Sequence, residues 1–228
     1  MNHIRNIRKS AYHVSRGMMR LLPFFLWGFL FFTSCSESSD EKEEFADWEN
    51  FNRKKWNSIY AQAQERVSAG DASWKIFRSW NYEDTHSAEN TSNIVVHVLK
   101  EGTGSGCPLY TDTVLVHYKG RLMESPSYPK GFEFDSSMGS STSAETAAPA
   151  KFAVSLLTDG FATALQNMHI GDEWEVYVPW TLGYGSVAKK TIPAYSVLVF
   201  TIKLEAYYRV GQPVPDFKAK RWSFLQEE

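Results

Sequence analysis

Hydrophobic residues along this chain follow two rhythms. Over residues 45–69, Trp48, Phe51, Ile59, Ala63 and Val67 return at roughly helical intervals, Trp56 and Tyr60 widen the stripe, and polar residues fill the gaps. That spacing predicts one amphipathic helix, with Gly70 as its stop. A shorter apolar cluster follows at Trp74, Ile76, Phe77 and Trp80. From residue 93 the period shortens to two: 94–99 is rich in β-branched residues, and Val114, Val116 and Tyr118 alternate with Leu115, His117 and Lys119. Phe152, Val154 and Leu156 alternate likewise, as do Trp174, Val176 and Val178, and then Leu198, Phe200, Ile202 and Leu204. A period of two is that of half-buried strands. One helix interrupts them: Asp159 is its expected N-cap, Phe161, Leu165 and Met168 share a face, and Gly171 ends it. Mostly antiparallel strands with a single short helix predict an α+β domain.

This divides the chain into a leader (1–34), an acidic tether (35–44), a helical N-terminal segment (45–89), a strand-rich domain (90–208) and a tail (209–228). The N-terminal segment has two readings: it packs in cis on the domain, or it forms an arm for homodimerisation.

Charge sharpens the picture. The total is −2, but residues 1–34 hold Arg5, Arg8, Lys9, Arg16 and Arg20 and no acidic residue, leaving 19 basic against 26 acidic residues beyond them. An acidic body lacks the basic surface that phosphate neutralisation needs, so no nucleic-acid partner is expected. The leader's apolar run, 21–32, has 12 residues. A bilayer-crossing helix needs about 20, whereas a run this short suits a signal-peptide core. Thr33 and Ser34 directly before Cys35 resemble a bacterial lipoprotein processing site, which would leave Cys35 as the acylated first residue and the protein anchored in the cell envelope, with the outer membrane as the expected location. Translation starting at Met18 or Met19 would give a leader of more usual length. The acidic run 36–44 reads either as a solvated linker or as a surface-export signal. With Cys35 acylated, Cys107 is the one remaining thiol, so no intrachain disulfide is expected. It sits in a Gly/Ser/Pro-rich turn with no base near it in sequence, as an incidental loop cysteine would.

Four blocks carry the chemistry: VHYKG (116–120), FEFDSS (132–137), LQNMHIGDEWEVYVPWTLGYG (165–185) and IPAYSVLVFTIKLEA (192–206). In this order and spacing they resemble the FKBP-type peptidyl-prolyl cis/trans isomerases over roughly residues 90–208. The resemblance implies a curved antiparallel sheet wrapped around one short helix, with a proline pocket between them. It places Phe161 at the pocket floor, Tyr118, Phe134 and Phe200 on aromatic walls, Asp135 beside the pocket, and the Tyr184 hydroxyl against a peptide carbonyl. Phe152, Leu157, Thr158 (through its backbone N–H) and Ile192 would complete substrate binding. Without the resemblance, Tyr118, Phe152 and Phe200 have the periodicity of ordinary core residues.

The chain departs from the family pattern in two longer loops, 124–131 and 138–151, the second expected to be mobile, and in Ala150 and Ala194. The implied activity needs no cofactor and no metal, and the six histidines lack ligand spacing such as His-x-x-x-His. His117, Asp135 and Ser136 lack the Gly-x-Ser-x-Gly elbow of a hydrolase, and Gly102, Gly104 and Gly106 are not followed by the Lys-Ser/Thr of a phosphate loop. The expected function is proline isomerisation on exported polypeptides. The alternatives are a peptide-binding module without catalysis and an interaction lipoprotein of an envelope assembly.

Overall fold

The alternating runs form strands because β-branched and aromatic side chains fill both sides of a pleat. In a computed structural model, residues 43–82, 89–139 and 147–215 are described, and Cys35, the leader and most of the tail lie outside them. The elements are α1 (Trp48–Ser68), β1 (Trp74–Arg78), β2 (Asn93–Lys100), β3 (Thr113–Leu122), β4 (Glu133–Ser136), β5 (Ala150–Ala153), α2 (Asp159–Leu165), β6 (Glu173–Val178) and β7 (Leu198–Tyr208). The strands make one antiparallel sheet in the order β1-β2-β6-β7-β3-β4, with β5 also pairing β3. Register shifts at Val98/Lys100, Leu115/Val116 and Gly120/Arg121 interrupt the ladders. Such bulges bend and twist a sheet, here into the curve that receives α2.

Both faces of one end of the sheet are covered. Ile94, Val95 and Val96 are all fully buried, as are Leu198 and Val199, with Phe200 at 5% exposure. Successive strand residues point to opposite faces, so a layer lies on each. On the inner face, Val96, Val176 and Phe200 share one cross-strand row, and α2 packs there. On the outer face, Val95, Tyr177 and Val199 share the next row, and α1 packs against β1 and β2. Farther along, the outer face carries Glu173, Glu175, Lys119 and Lys203 and meets solvent.

α2 has seven residues, all buried from Gly160 to Leu165. A helix this short is not stable in water alone, so packing holds it. Gly160 permits the approach: a Cβ there would sit 2.3 Å from Val178 Cγ1.

Three expectations change. The helical segment expected over 45–89 is helical only over Trp48–Ser68. Trp74–Arg78 is instead a strand that pairs β2 along its whole length, each residue half-buried. Its side chains are covered on both sides, so neither a helical nor an alternating rhythm appears in the sequence. Val154–Leu156 is a single 3₁₀ turn that breaks the alternation begun at Phe152, and Leu156 is 85% exposed. α2 begins after Thr158 and ends at Leu165, well short of Gly171. Gln166 Nε2 and Asn167 Nδ2 donate to Ala162 O and Thr163 O, at 3.2 and 2.8 Å. These side chains satisfy the last helical carbonyls, so no glycine is needed to end the helix. The long loop falls partly outside the described residues, at 140–146.

The cis packing expected of the N-terminal helix is present: Trp56 and Ala63 are fully buried and Trp48 is 8% exposed. Trp56→Ala should therefore cost about 3–5 kcal/mol of stability. Val67→Ala, at a 43% exposed position of the same helix, should change stability by less than about 0.5 kcal/mol. Denaturant midpoints of the two variants check this; equal losses would mean that α1 does not depend on its packed face.

Candidate active site

Five aromatic rings meet where α2 faces β3, β4, β5 and β7. Phe161, on the first turn of α2, is 4% exposed. The ring of Phe200 from β7 stands against it at 4.9 Å and 78°, and that of Tyr118 from β3 at 5.9 Å and 86°. Phe152 from β5 meets Tyr118 at 5.5 Å and 63°, and Phe134 from β4 meets Phe200 at 5.7 Å and 89°. Edge-to-face contacts of this kind set the positive rim of one ring against the negative face of another, and each adds about 0.5–1.5 kcal/mol beyond burial. Two rings nearly perpendicular to a third form a floor with two walls.

Gly120 makes room for the far wall. A Cβ at this position would lie 2.6 Å from Phe134 Cε2 and Cζ and 2.9 Å from Phe200 Cε1. The VHYKG block thus contributes its glycine as well as its tyrosine, a role that strand periodicity could not reveal.

The polar groups sit at the rim. The Tyr118 hydroxyl donates to Asp135 Oδ2 at 2.6 Å, and Asp135 Oδ1 accepts from the Ser136 N–H at 2.9 Å. Burial first, then the Asp135 hydrogen bond and charge, push the Tyr118 phenol far above its usual range. Tyr184, 37% exposed, is also raised, by burial and then by the Asp135 charge. Both hydroxyls keep their protons at neutral pH. Tyr184 rides on a tight turn in which Trp180 O accepts from the N–H groups of both Gly183 and Gly185, at 3.0 and 2.8 Å, and Gly185 has φ +64°, a region glycine enters without strain.

Thr158 caps α2 with extended backbone and no side-chain bond, and its N–H has no acceptor among the described residues. Leu157 packs against the core. Ile192 is 6% exposed and exchanges backbone hydrogen bonds with Lys189, at 2.8 and 2.9 Å. The structure brings Tyr118, Phe134, Asp135, Phe152, Phe161, Tyr184 and Phe200 together, with Leu157 and Thr158 at the helix entrance. Cys35 lies outside the described residues.

His117 and Asp135 make no contact with each other. His117, between Val116 and Tyr118 of the inner face, points to the outer face, its Nε2 3.9 Å from Glu205 Oε1, while Asp135 is paired with Tyr118. A depression of about 490 Å³ on that face is lined by His117, Lys100, Lys119, Glu173 and Lys203 among others. Its lysines are largely neutralised, Lys119 by Glu133 at 3.1 Å and Lys203 by Glu205 at 2.6 Å. Among the described residues no three His, Cys, Asp or Glu side chains gather as a metal site. Cys107 does have a base in space, His169 Nε2 at 3.8 Å. Burial and the Asp172 charge raise the thiol, however, opposite to what a nucleophile needs.

The raised phenols fix a pH dependence. Burial and the Glu175 carboxylate raise Tyr177 in the same way as Tyr118. Above about pH 10, tyrosines of an unfolded chain ionise while these two hold their protons, so the unfolded state binds fewer protons and stability falls with rising pH. The contribution is complete below that pH and is lost progressively until the buried phenols themselves ionise. Stability should be insensitive to these groups between pH 6 and 8 and decline above about pH 10. Denaturation midpoints against pH for the wild type and Tyr118→Phe check it; equal alkaline declines would remove Tyr118 as a cause.

A family model described as FKBP-type peptidyl-prolyl cis-trans isomerase matches residues 107–205. The FKBP-type 22 kDa peptidyl-prolyl cis-trans isomerase of Escherichia coli strain K12 is 36% identical over 123 residues, which cover 54% of this chain and 52% of that protein. The outer membrane protein MIP of Legionella longbeachae is 35% identical over 124 residues, 54% of this chain and 46% of that one. A solved peptidyl-prolyl cis-trans isomerase from Pseudomonas syringae is 27% identical, with a TM-score of 0.44, over 67% of this chain and 96% of that one. The chain thus spans about half the length of these two curated relatives. The likeness to the FKBP-type peptidyl-prolyl cis-trans isomerase family lies within residues 107–205, less than half of the chain.

Proposed function

We propose that this protein is a peptidyl-prolyl cis/trans isomerase acting on proline-containing polypeptides at the cell envelope. The observation that carries the reading is the ring cradle of Phe161, Tyr118 and Phe200 with two protonated phenols and a carboxylate at its rim. Rotation about an X-Pro bond breaks no covalent bond. Its barrier is amide resonance, about 18–20 kcal/mol, and spontaneous exchange takes tens to hundreds of seconds. Reaching about a hundred turnovers per second requires removing only about 5–6 kcal/mol.

The cradle can supply this by favouring the twisted amide over the planar one. A proline ring seated on Phe161 between Tyr118 and Phe200 leaves water, which otherwise stabilises the planar, more polar amide. Tyr184 donates its hydroxyl to a peptide carbonyl at the rim, and the Thr158 N–H offers a second donor. The hydrogen bond from Tyr118 keeps Asp135 facing the mouth. No group has to gain or lose a proton, so activity is expected to be nearly flat between pH 6 and 8 and indifferent to chelators.

The envelope assignment rests on the short apolar run 21–32 before Cys35 and on the name of the Legionella relative, an outer membrane protein. In this reading Cys35 carries the lipid. More than one acyl chain is needed for stable anchoring, and mass spectrometry of the membrane fraction should find a diacylglycerol on Cys35 with residues 1–34 removed. A mature protein that retains its leader would refute the anchor.

Catalysis is tested with the full chain in detergent and a proline peptide assay. Phe161→Ala should lower kcat/KM by tenfold or more, about 1.4 kcal/mol, and also destabilise the core by about 3–5 kcal/mol. Tyr184→Phe removes one hydroxyl and should weaken peptide binding by about 0.5–1.5 kcal/mol with the fold intact. If the folded wild type leaves exchange at its spontaneous rate while still binding proline peptides, the protein is a binding module and not an enzyme.

A further inference from the structure

The turn that carries Tyr184 and Ile192 is gripped at both ends by α1, an element outside the stretch 107–205 that matches the family. At its start, the Arg53 guanidinium lies 4.6 Å over the Trp180 ring, while Glu49 holds it from behind at 2.7 Å. At its end, Trp48 Nε1 donates to Ser196 Oγ at 2.8 Å, and Ser196 Oγ in turn donates to Pro193 O at 2.7 Å. Asn52 Oδ1 accepts the Val197 N–H at 2.8 Å, and its Nδ2 donates to Trp48 O at 2.8 Å.

Asn52 is fully buried. An amide has no reason to sit there for packing, since burial of a polar group is favourable only when its hydrogen bonds are replaced. Here the replacement is a loop backbone 145 residues away. Between the two grips Tyr195 adopts φ +60°, a left-handed conformation that a bulky residue holds only when its surroundings enforce it. Arg53 lies 5.5 Å from the Tyr195 ring, and the Tyr195 N–H donates to Gly185 O at 2.8 Å, one residue from Tyr184. A continuous path of contacts thus runs from α1 to the pocket rim.

We infer that Asn52 and Trp48 are positioning residues: through Ser196, Val197 and Tyr195 they set the turn that presents Tyr184 and Ile192 to the peptide. This rests on the isomerase reading for its kinetic consequence but not for its structural one. α1 then shapes which peptides the pocket accepts, and its loss leaves the ring cradle intact while the rim drifts. The effect should fall on KM and on discrimination between residues flanking the proline more than on kcat.

The test is Asn52→Ala in the full chain, with Ile59→Ala as a comparison that loosens α1 packing without touching the loop. Asn52→Ala should shift the amide resonances of Tyr184, Gly185 and Ile192 and raise KM, lowering kcat/KM by about tenfold. Ile59→Ala should move neither. Should Asn52→Ala fail to fold, Trp48→Phe keeps the ring contact with Phe51 but removes the donor to Ser196, and Ser196→Ala removes its acceptor; each should shift the same resonances. If those resonances stay in place in a folded variant, or move equally in Ile59→Ala, the inference is wrong. If the wild type proves inactive, peptide titration followed at Tyr184 and Ile192 replaces the kinetics, so failure of the isomerase reading and failure of this one remain separate results.

Discussion

The whole site hangs on a helix too short to exist by itself. Seven residues cannot outweigh the cost of nucleating a helix in water, so α2 is helical because the sheet buries every residue from Gly160 to Leu165. That burial requires the missing Cβ at Gly160, which lets the helix lie directly on Val178, and it delivers Phe161 to one fixed place. Curvature of the sheet is the matching requirement, and the bulges in β2, β4 and β7 are where the ladder gives way to supply it. A flat sheet would leave Tyr118 and Phe134 too far from the helix to enclose anything.

The two faces of the sheet do different work. Inside, apolar rows from β2, β6 and β7 hold α2. Outside, the apolar row Val95, Tyr177 and Val199 is covered by α1, and the rows beyond carry charge. Arg121, Glu175 and Tyr177 form a half-buried network there, with Arg121 Nη2 2.8 Å from Glu175 Oε2 and the Tyr177 hydroxyl bonded to the same carboxylate. Charged pairs in such partly wet positions add little to stability. They keep the uncovered part of the outer face soluble, and the fold's stability comes from the two apolar layers.

Much of this was readable in the sequence, and the exceptions have physical causes. Wherever one face of a strand is wet, as in β3, β6 and β7, the alternation of two showed it. β1 was not legible because side chains on both its faces are half-covered. Leu156 continued an alternation from Phe152 that the backbone does not follow, because Val154–Leu156 turns into 3₁₀ just before α2. Gly171 looked like a helix stop, yet its N–H bonds Leu204 O at 2.8 Å and it serves the turn into β6. The ring cluster was visible only through the order of the four blocks, since each ring alone resembles core. Asn52 was invisible to periodicity altogether: a polar residue on a helix reads as solvent-facing, and only the fold reveals that a loop backbone needs it.

Rigidity is unevenly distributed over the site. The floor and walls are buried or half-buried rings in mutual edge contact, one on the packed helix and the others on paired strands. The polar groups of the rim, Tyr184 and Asp135, are exposed, and each is carried on a turn or strand end rather than in the core. A site that fixed all of them equally would bind the planar amide as well as the twisted one and gain affinity without rate. On the proposed isomerase reading, the parts of the chain that hold the rim bear on which polypeptides are turned over, although they touch no substrate. Through Trp48, Asn52 and Arg53, α1 is tied to the turn that carries Tyr184.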